Sequence, residues 1–363
     1  MGIINLQEDN SLIRELTDRR VVESLPFAGR YRLIDFALSS MVNSGIQNVG
    51  IMLPDKPRSV LDHLRSGKDW DLARLMTASS TCRLRTMRNP DAVAISRTST
   101  TTSTSSSTAR RNTSCWQVAA SSTTSTSTSC CAPPEHECRY PMVYYTAAQE
   151  AAGRSTVIET AENGLVEDIA EKPAIYDGSK VSMNVFLMEK RIFVEMIRYS
   201  YEHGGQDLLL DGIIRRADEY NIYAYEHDGY VAHVDSTASY YKANMDILEP
   251  SVWEELFMGE NSIYTKVKDE VPVQYKDTAV VKNSLIANGC IIRGEVENSI
   301  LFRGVTIEKG VKVKNSIIMQ KCDVQENSLL ENVICDKNVV ITKEKWLKGA
   351  QNYPLIVAKN VVI

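Results

Sequence analysis

The chain has 363 residues, 43% of them hydrophobic, and a formal net charge of -5 from 41 Lys and Arg against 46 Asp and Glu. That length suits two domains, and the apolar content is enough to bury sizeable cores. The acid excess argues against a nucleic-acid binder, no apolar run is long enough to span a membrane, and no cationic-then-apolar leader opens the chain. A cytoplasmic protein with neither nucleic acid nor membrane among its partners is expected, and its eight cysteines, without any zinc-like spacing, read as reduced.

To about residue 74 the chain reads as α/β protein. In "RLIDFALSSMVNSG" the apolar positions Leu33, Ile34, Phe36, Ala37, Leu38, Met41 and Val42 have the spacing of a buried helix face. Asn43-Ser44-Gly45 ends that helix, and "QNVGIML", Gln47 to Leu53, follows as a short apolar strand. Helix, glycine turn and strand make half of a parallel-sheet unit.

Two Ser/Thr tracts come next, "RTSTTTSTSSSTARR" (Arg97 to Arg111) and "SSTTSTSTSCC" (Ser121 to Cys131). Such composition ordinarily marks a solvated linker. From residue 142 to about 250 the α/β style resumes. "VSMNVFLM" and "NIYAYEHDGYVAHV" read as strands, and "SYYKANMDIL" as a helix capped by either Asp235 or Ser236.

From about residue 271 the period changes. "NSLI", "NSIL", "NSII" and "NSLL" begin at Asn283, Asn298, Asn315 and Asn327. Val305, Val311 and Ile317 recur every six residues, as do Ile307 and Val313. This period is wrong for a helix and too long for a hairpin strand. It fits a parallel β-helix, with aliphatic residues stacked inside successive coils, better than an antiparallel sandwich.

"PFAGRYRLIDFALSSMVNSGIQNVGI" (Pro26 to Ile51), "GKDWDL", "EKPAIYDG" and "YYKANMDIL", together with the hexads, resemble the glucose-1-phosphate adenylyltransferases, or ADP-glucose pyrophosphorylases. The likeness covers everything except about 75–141. It implies an α/β nucleotidyltransferase-like, Rossmann-like domain over 1–250, carrying an aberrant segment at 75–141, and a left-handed parallel β-helix over 271–363. The family reaction joins ATP and glucose 1-phosphate into ADP-glucose and pyrophosphate, in glycogen synthesis.

Where the family's phosphate loop has three glycines and an arginine, this chain has Gln7, Glu8, Asp9, Asn10, Ser11 and Leu12. Close backbone approach to a triphosphate is lost with the glycines, and two carboxylates repel it. Val22-Glu23 stands in place of a Lys-Pro, and His233 in place of a metal-holding aspartate, with Asp235 nearby. The sugar side is better kept. Glu171 and Lys172 match the family's glucose-phosphate contact and Ser182 a pocket serine, while Asn184 replaces a glycine. Arg19, Arg20, Arg30 and Arg32 lie where the family binds phosphorylated effectors, which implies an anion or subunit contact.

The pattern resembles the non-catalytic, regulatory GlgD-type subunit. The resemblance implies no catalytic residue, metal or other cofactor in this chain, and Mg²⁺ in a catalytic glucose-1-phosphate adenylyltransferase partner. A sugar phosphate or a phosphorylated effector is a further expected ligand. A weakly active adenylyltransferase and a free-standing sugar-phosphate sensor are the alternatives.

The family places a helix and the central strand of its sheet where the tracts fall, so a linker there deletes the middle of the core. A compensated reading-frame slip between about Leu75 and Pro141 accounts for them. Read one base upstream, Thr codons give polar residues and TCN serine codons apolar ones. Thr98 to Ser107 then acquires helical spacing, and Ser121 to Ser129 ends in strand alternation. Ser114 to Ala120, so decoded, has no aspartate where the family has its catalytic one. As printed, 75–141 is expected to be disordered.

Overall fold

The structure, a computed structural model, describes residues 1–6, 11–53, 56–72, 76–77, 80–81, 85–88, 113–117, 140–147, 155–171, 175–204, 216, 219–259 and 261–363. Helix Leu33–Asn43 buries Leu33, Ile34, Phe36, Ala37, Leu38 and Met41, as their spacing dictates. Its first turn is closed by Asp35, whose carboxylate accepts the Arg32 backbone N–H at 2.9 Å. Gly45, at φ +74°, turns the chain out of the helix. The helix crosses between the parallel strands Gly2–Asn5 and Val49–Leu53, and Arg85–Arg88 adds a third parallel strand.

A mixed sheet follows in the order Val166–Glu171, Thr156–Thr160, Lys180–Glu189, Tyr140–Thr146, Ile222–Glu226. Thr113–Gln117 also pairs with Lys180–Glu189, antiparallel, and lies beside Gly2–Asn5, so it stands between the two sheets. Met76–Thr77 pairs with Ser80–Thr81. At these stretches the segment 75–141 is strand. Both Ser/Thr tracts, and the disorder expected of them, lie outside the described residues.

"NIYAYEHDGYVAHV" forms a strand only over Ile222–Glu226. Beyond it the Tyr230 N–H donates to the Glu255 carboxylate of helix Pro250–Phe257 rather than to a neighbouring strand. Helix Thr237–Asp246 is capped by Ser236, whose hydroxyl accepts the Ser239 N–H at 3.2 Å. Asp235 instead accepts the Ser239 hydroxyl at 3.1 Å.

The C-terminal part winds as a parallel β-helix of three stacks, each of five short strands. Val296, Val313 and Leu330, the middle residues of successive rungs in one stack, are at most 2% exposed and belong to its interior. Asn283, Asn298 and Asn315 sit at successive corners with φ between +40° and +46°. Asparagine takes this left-handed conformation more readily than most residues. The serine after each turns its hydroxyl along the stack. Ser284, Ser299 and Ser316 accept the N–H of Ser299, Ser316 and Val333 at 3.1, 3.0 and 3.2 Å.

The fourth repeat differs from expectation. Asn332, 17 positions past Asn315 and at φ +53°, continues this corner, whereas Asn327 occupies another, against Gly310. Spacing between coils, rather than the Asn-Ser pair, decides which corner a residue takes. Asn315→Ala is expected to destabilise the β-helix by about 1–2 kcal/mol, the cost of a left-handed alanine, and Asn315→Gly by less. Thermal melts of the two variants check this.

The two halves share one apolar cluster. Phe27, Phe36 and Tyr240 pack with Ile300, Phe302, Ile317, Met319 and Ile334 of the β-helix, all fully buried. The Tyr241 hydroxyl donates to the Asn315 carbonyl at 2.6 Å across the same joint. Among the described residues no helix is long and apolar enough to cross a membrane.

Candidate functional site

Ser182 lies buried on Lys180–Glu189, where the ladder to Tyr140–Thr146 is broken by an irregularity before Val185. Asn184 sits in that break at φ +54°. The backbone thus keeps the conformation that glycine adopts freely. The carboxamide that glycine lacks is tied to the pocket serine. The Asn184 N–H donates to Ser182 Oγ at 3.0 Å, and the Ser182 hydroxyl donates to Asn184 Oδ1 at 3.4 Å. Glu171 ends strand Val166–Glu171. Lys172 lies outside the described residues, as do Gln7 to Asn10 of the altered phosphate loop. At the end of that loop Leu12 is half exposed, and beyond it Glu23 is buried.

His233, at the metal-aspartate position, has its Nδ1 2.9 Å from the Ser155 hydroxyl. Burial pushes its pKa below the ordinary histidine value, an effect that Asp235 partly offsets, so the ring is neutral near pH 7. Mg²⁺ takes oxygen ligands in near-octahedral geometry. A neutral imidazole bonded to a serine, beside an aspartate engaged with Ser239, does not fit that ion. Among the described residues no group of three or more His, Cys, Asp or Glu could hold a metal.

The cations of the N-terminal segment fare differently from one another. Arg20 is buried at the joint between the halves. Its Nη2 lies 2.8 Å from Asp336 Oδ2 with both side chains 7% exposed, and its Nε donates to the Leu16 carbonyl at 2.8 Å. Arg32 donates to the Ser59 carbonyl at 2.7 Å and hydroxyl at 3.0 Å, and burial pushes it down to about 10. Arg30 is exposed, its guanidinium 5.4 Å from the Tyr31 ring. Arg19 is exposed near Asp18 and takes no part in the joint.

Arg20 and Arg32 are joined there by Lys337, pushed down to about 7 by burial and by those two arginines against the pull of Asp336. Lys268 and Arg303 are depressed too, chiefly by burial, then by Arg303 for the lysine and Arg30 for the arginine. The acids facing this group are few. Asp336 is taken by Arg20, and Asp35 by His63 Nε2 and the Thr265 hydroxyl, leaving Glu270 near Lys268 and Arg303 and Asp62 near Arg32, itself 3.9 Å from Arg58. Several cations crowded between two domains, with most of the nearby carboxylates already committed, can hold a multiply charged anion.

Asp336, Lys337, Lys268 and Arg303 were not singled out from the sequence. "KVKDE", a cation-bearing stretch between the α/β and hexad blocks, was the available signal for Lys268. Nothing local marks Asp336.

Residues 11–112 match a family profile described as nucleotidyl transferase, and residues 270–348 one described as GlmU-like, C-terminal hexapeptide. The chain is 34% identical to "Glycogen biosynthesis protein GlgD" of Bacillus subtilis (strain 168) and 36% identical to the protein of that name from Geobacillus stearothermophilus. Each match covers 100% of this chain and 96% of the relative. It is 28% identical to "Glucose-1-phosphate adenylyltransferase" of Bacillus cytotoxicus, over 94% of this chain and 93% of the relative.

Proposed function

We propose that this chain, which belongs to the GlgD family within the glucose-1-phosphate adenylyltransferases, serves glycogen synthesis as a non-catalytic, regulatory subunit. In this reading it assembles in the cytoplasm with a catalytic adenylyltransferase, which carries the Mg²⁺ and makes the ADP-glucose. The observation that carries the reading is His233. A neutral ring bonded to Ser155 stands where the resemblance puts a metal-holding carboxylate, which supports a chain that sets no charge-neutralising ion beside a transferring phosphoryl group. Asn184 adds to it by occupying the hydroxyl of Ser182, which a sugar phosphate would otherwise use. The retained cations at the joint, Arg20 and Arg32 with Lys337, are offered as the place where a phosphorylated ligand acts on the assembly.

The test is ADP-glucose formation from ATP, glucose 1-phosphate and Mg²⁺. The purified chain alone is expected to give no product above background. Mixed with a catalytic adenylyltransferase, it is expected to co-elute with it and to change its rate or effector response. Robust synthesis by this chain alone overturns the proposal, as does a partner whose elution and kinetics ignore it.

A further inference from the structure

Lys337 stands at a corner of the β-helix, between strand Val333–Cys335 and Asn338, which turns the chain at φ +58°. Its backbone is fixed on both sides. The N–H donates to Asp336 Oδ1 at 2.7 Å, and the carbonyl accepts the N–H of Asn360, in the next coil, at 3.0 Å. The side-chain amine is treated differently. Asp336 Oδ2 lies 2.8 Å from Arg20 Nη2, so both oxygens of the acid that acts on Lys337 are engaged elsewhere. Among the described residues Lys337 Nζ forms neither a hydrogen bond nor an ion pair. Its other charged neighbours are all cations: Arg32, Arg20 and the exposed Lys359 of the next coil.

A half-buried, unbonded amine among cations is a nucleophile in waiting. Burial and the two arginines push Lys337 down to about 7, so a large part of it carries a free lone pair near neutral pH. The surroundings also select the electrophile. It has to leave a negative group where the lysine brought a positive one, and it has to be small enough to enter between packed halves. Carbon dioxide meets both conditions. The Nζ lone pair attacks its carbon, an N–C bond forms, one C–O π pair moves onto oxygen, and a proton leaves Nζ for water. The product is a carbamate, nothing is oxidised or reduced, and release of carbon dioxide is the reverse step. A carbamate is planar with two acceptor oxygens, the shape that guanidinium groups bind. Arg32 has donors left for it, since its side chain engages Ser59 through Nη1 alone among the described residues.

We propose that Lys337 is a site of reversible carbamylation by carbon dioxide, and that the carbamate replaces cation–cation repulsion at the joint with ion pairs to Arg20 and Arg32. The adduct forms on this chain without a partner, so it stands or falls separately from the regulatory role.

The test is to incubate the full chain with carbon dioxide and bicarbonate at pH 7.5, trap carbamates by alkylation with a trialkyloxonium salt, and map them by peptide mass spectrometry. At that pH an ordinary lysine is neutral to only about one part in a thousand. The trapped fraction at Lys337 is therefore expected to exceed that at the exposed Lys276 and Lys345 at least tenfold. In concentrated urea, where the cations no longer surround it, the excess is expected to vanish. Carbon-13 NMR under labelled carbon dioxide reads the same adduct without a trapping reagent, and Lys337→Met is expected to lack one carbamate resonance that the parent shows. No adduct at Lys337, an adduct no more abundant than at Lys276 and Lys345, an excess that survives urea, or identical carbamate spectra for parent and variant each overturns the proposal. The mapping uses the parent chain alone, so the outcome does not depend on a variant that folds.

Discussion

Asp336→Ala is expected to destabilise the joint between the two halves by about 3–5 kcal/mol, the usual cost of stranding a buried charge. Arg20 and Asp336 are each 7% exposed, so neither can turn to water when its partner is removed. Loss of this carboxylate also leaves Arg20, Arg32 and Lys337 facing one another without the acid that offsets their repulsion. The Lys337 backbone N–H loses an acceptor as well, since it donates to the other carboxylate oxygen at 2.7 Å. Removing both ends of the pair is a different experiment. Arg20→Met with Asp336→Leu exchanges the ions for apolar volume and is expected to recover much of the loss. Urea unfolding of the three proteins decides the matter, and an Asp336→Ala curve overlaying the parent's contradicts it.

The second large effect is a pH dependence centred on Lys337. Its folded pKa is about 7 against an ordinary 10.5. Below pH 7 the lysine is charged in both states, and folding carries the full cost of burying that charge among cations. Between pH 7 and 10.5 the unfolded chain holds a proton that the folded chain has released, so stability rises with pH, by about 1.4 kcal/mol per unit. Above that window no further gain comes from this group. Lys337→Met is expected to flatten the slope between pH 7 and 9 and to raise stability at pH 6.5 by something on the order of 3 kcal/mol. Parallel stability curves for parent and variant across that range contradict the assignment.

Much of the architecture could be read from local spacing. The apolar face of Leu33–Asn43 and the hexads of the β-helix are periodic signals that survive without tertiary context. The Asn-Ser repeat could not be read so simply. Asn315 and Asn327 share a dipeptide, but coil length sends them to different corners, and Asn332, followed by valine, takes the place expected of the fourth repeat. Of "NIYAYEHDGYVAHV" only Ile222–Glu226 is strand, and the Tyr230 N–H beyond it goes to a carboxylate distant in sequence, Glu255. The site shows the same division. His233 and Asn184 could be named by position, but their bonds to Ser155 and Ser182 could not. The joint's acid, Asp336, was invisible because its partner Arg20 lies at the far end of the chain.

The shared apolar cluster also imposes a timetable on synthesis. Phe27, Phe36 and Tyr240 leave the ribosome before the coils that bear Phe302, Met319 and Ile334 exist to cover them. Arg20 likewise emerges long before its counter-ion Asp336. At about 5–20 residues per second, the interval between Tyr240 and Asp336 lasts roughly 5–20 s. For that time a nascent half-molecule displays a greasy patch beside an unneutralised guanidinium, a ready client for a chaperone. Cutting the gene near residue 265 makes that interval permanent for the first fragment, which is then a protein with a wet core face and no means of closing it.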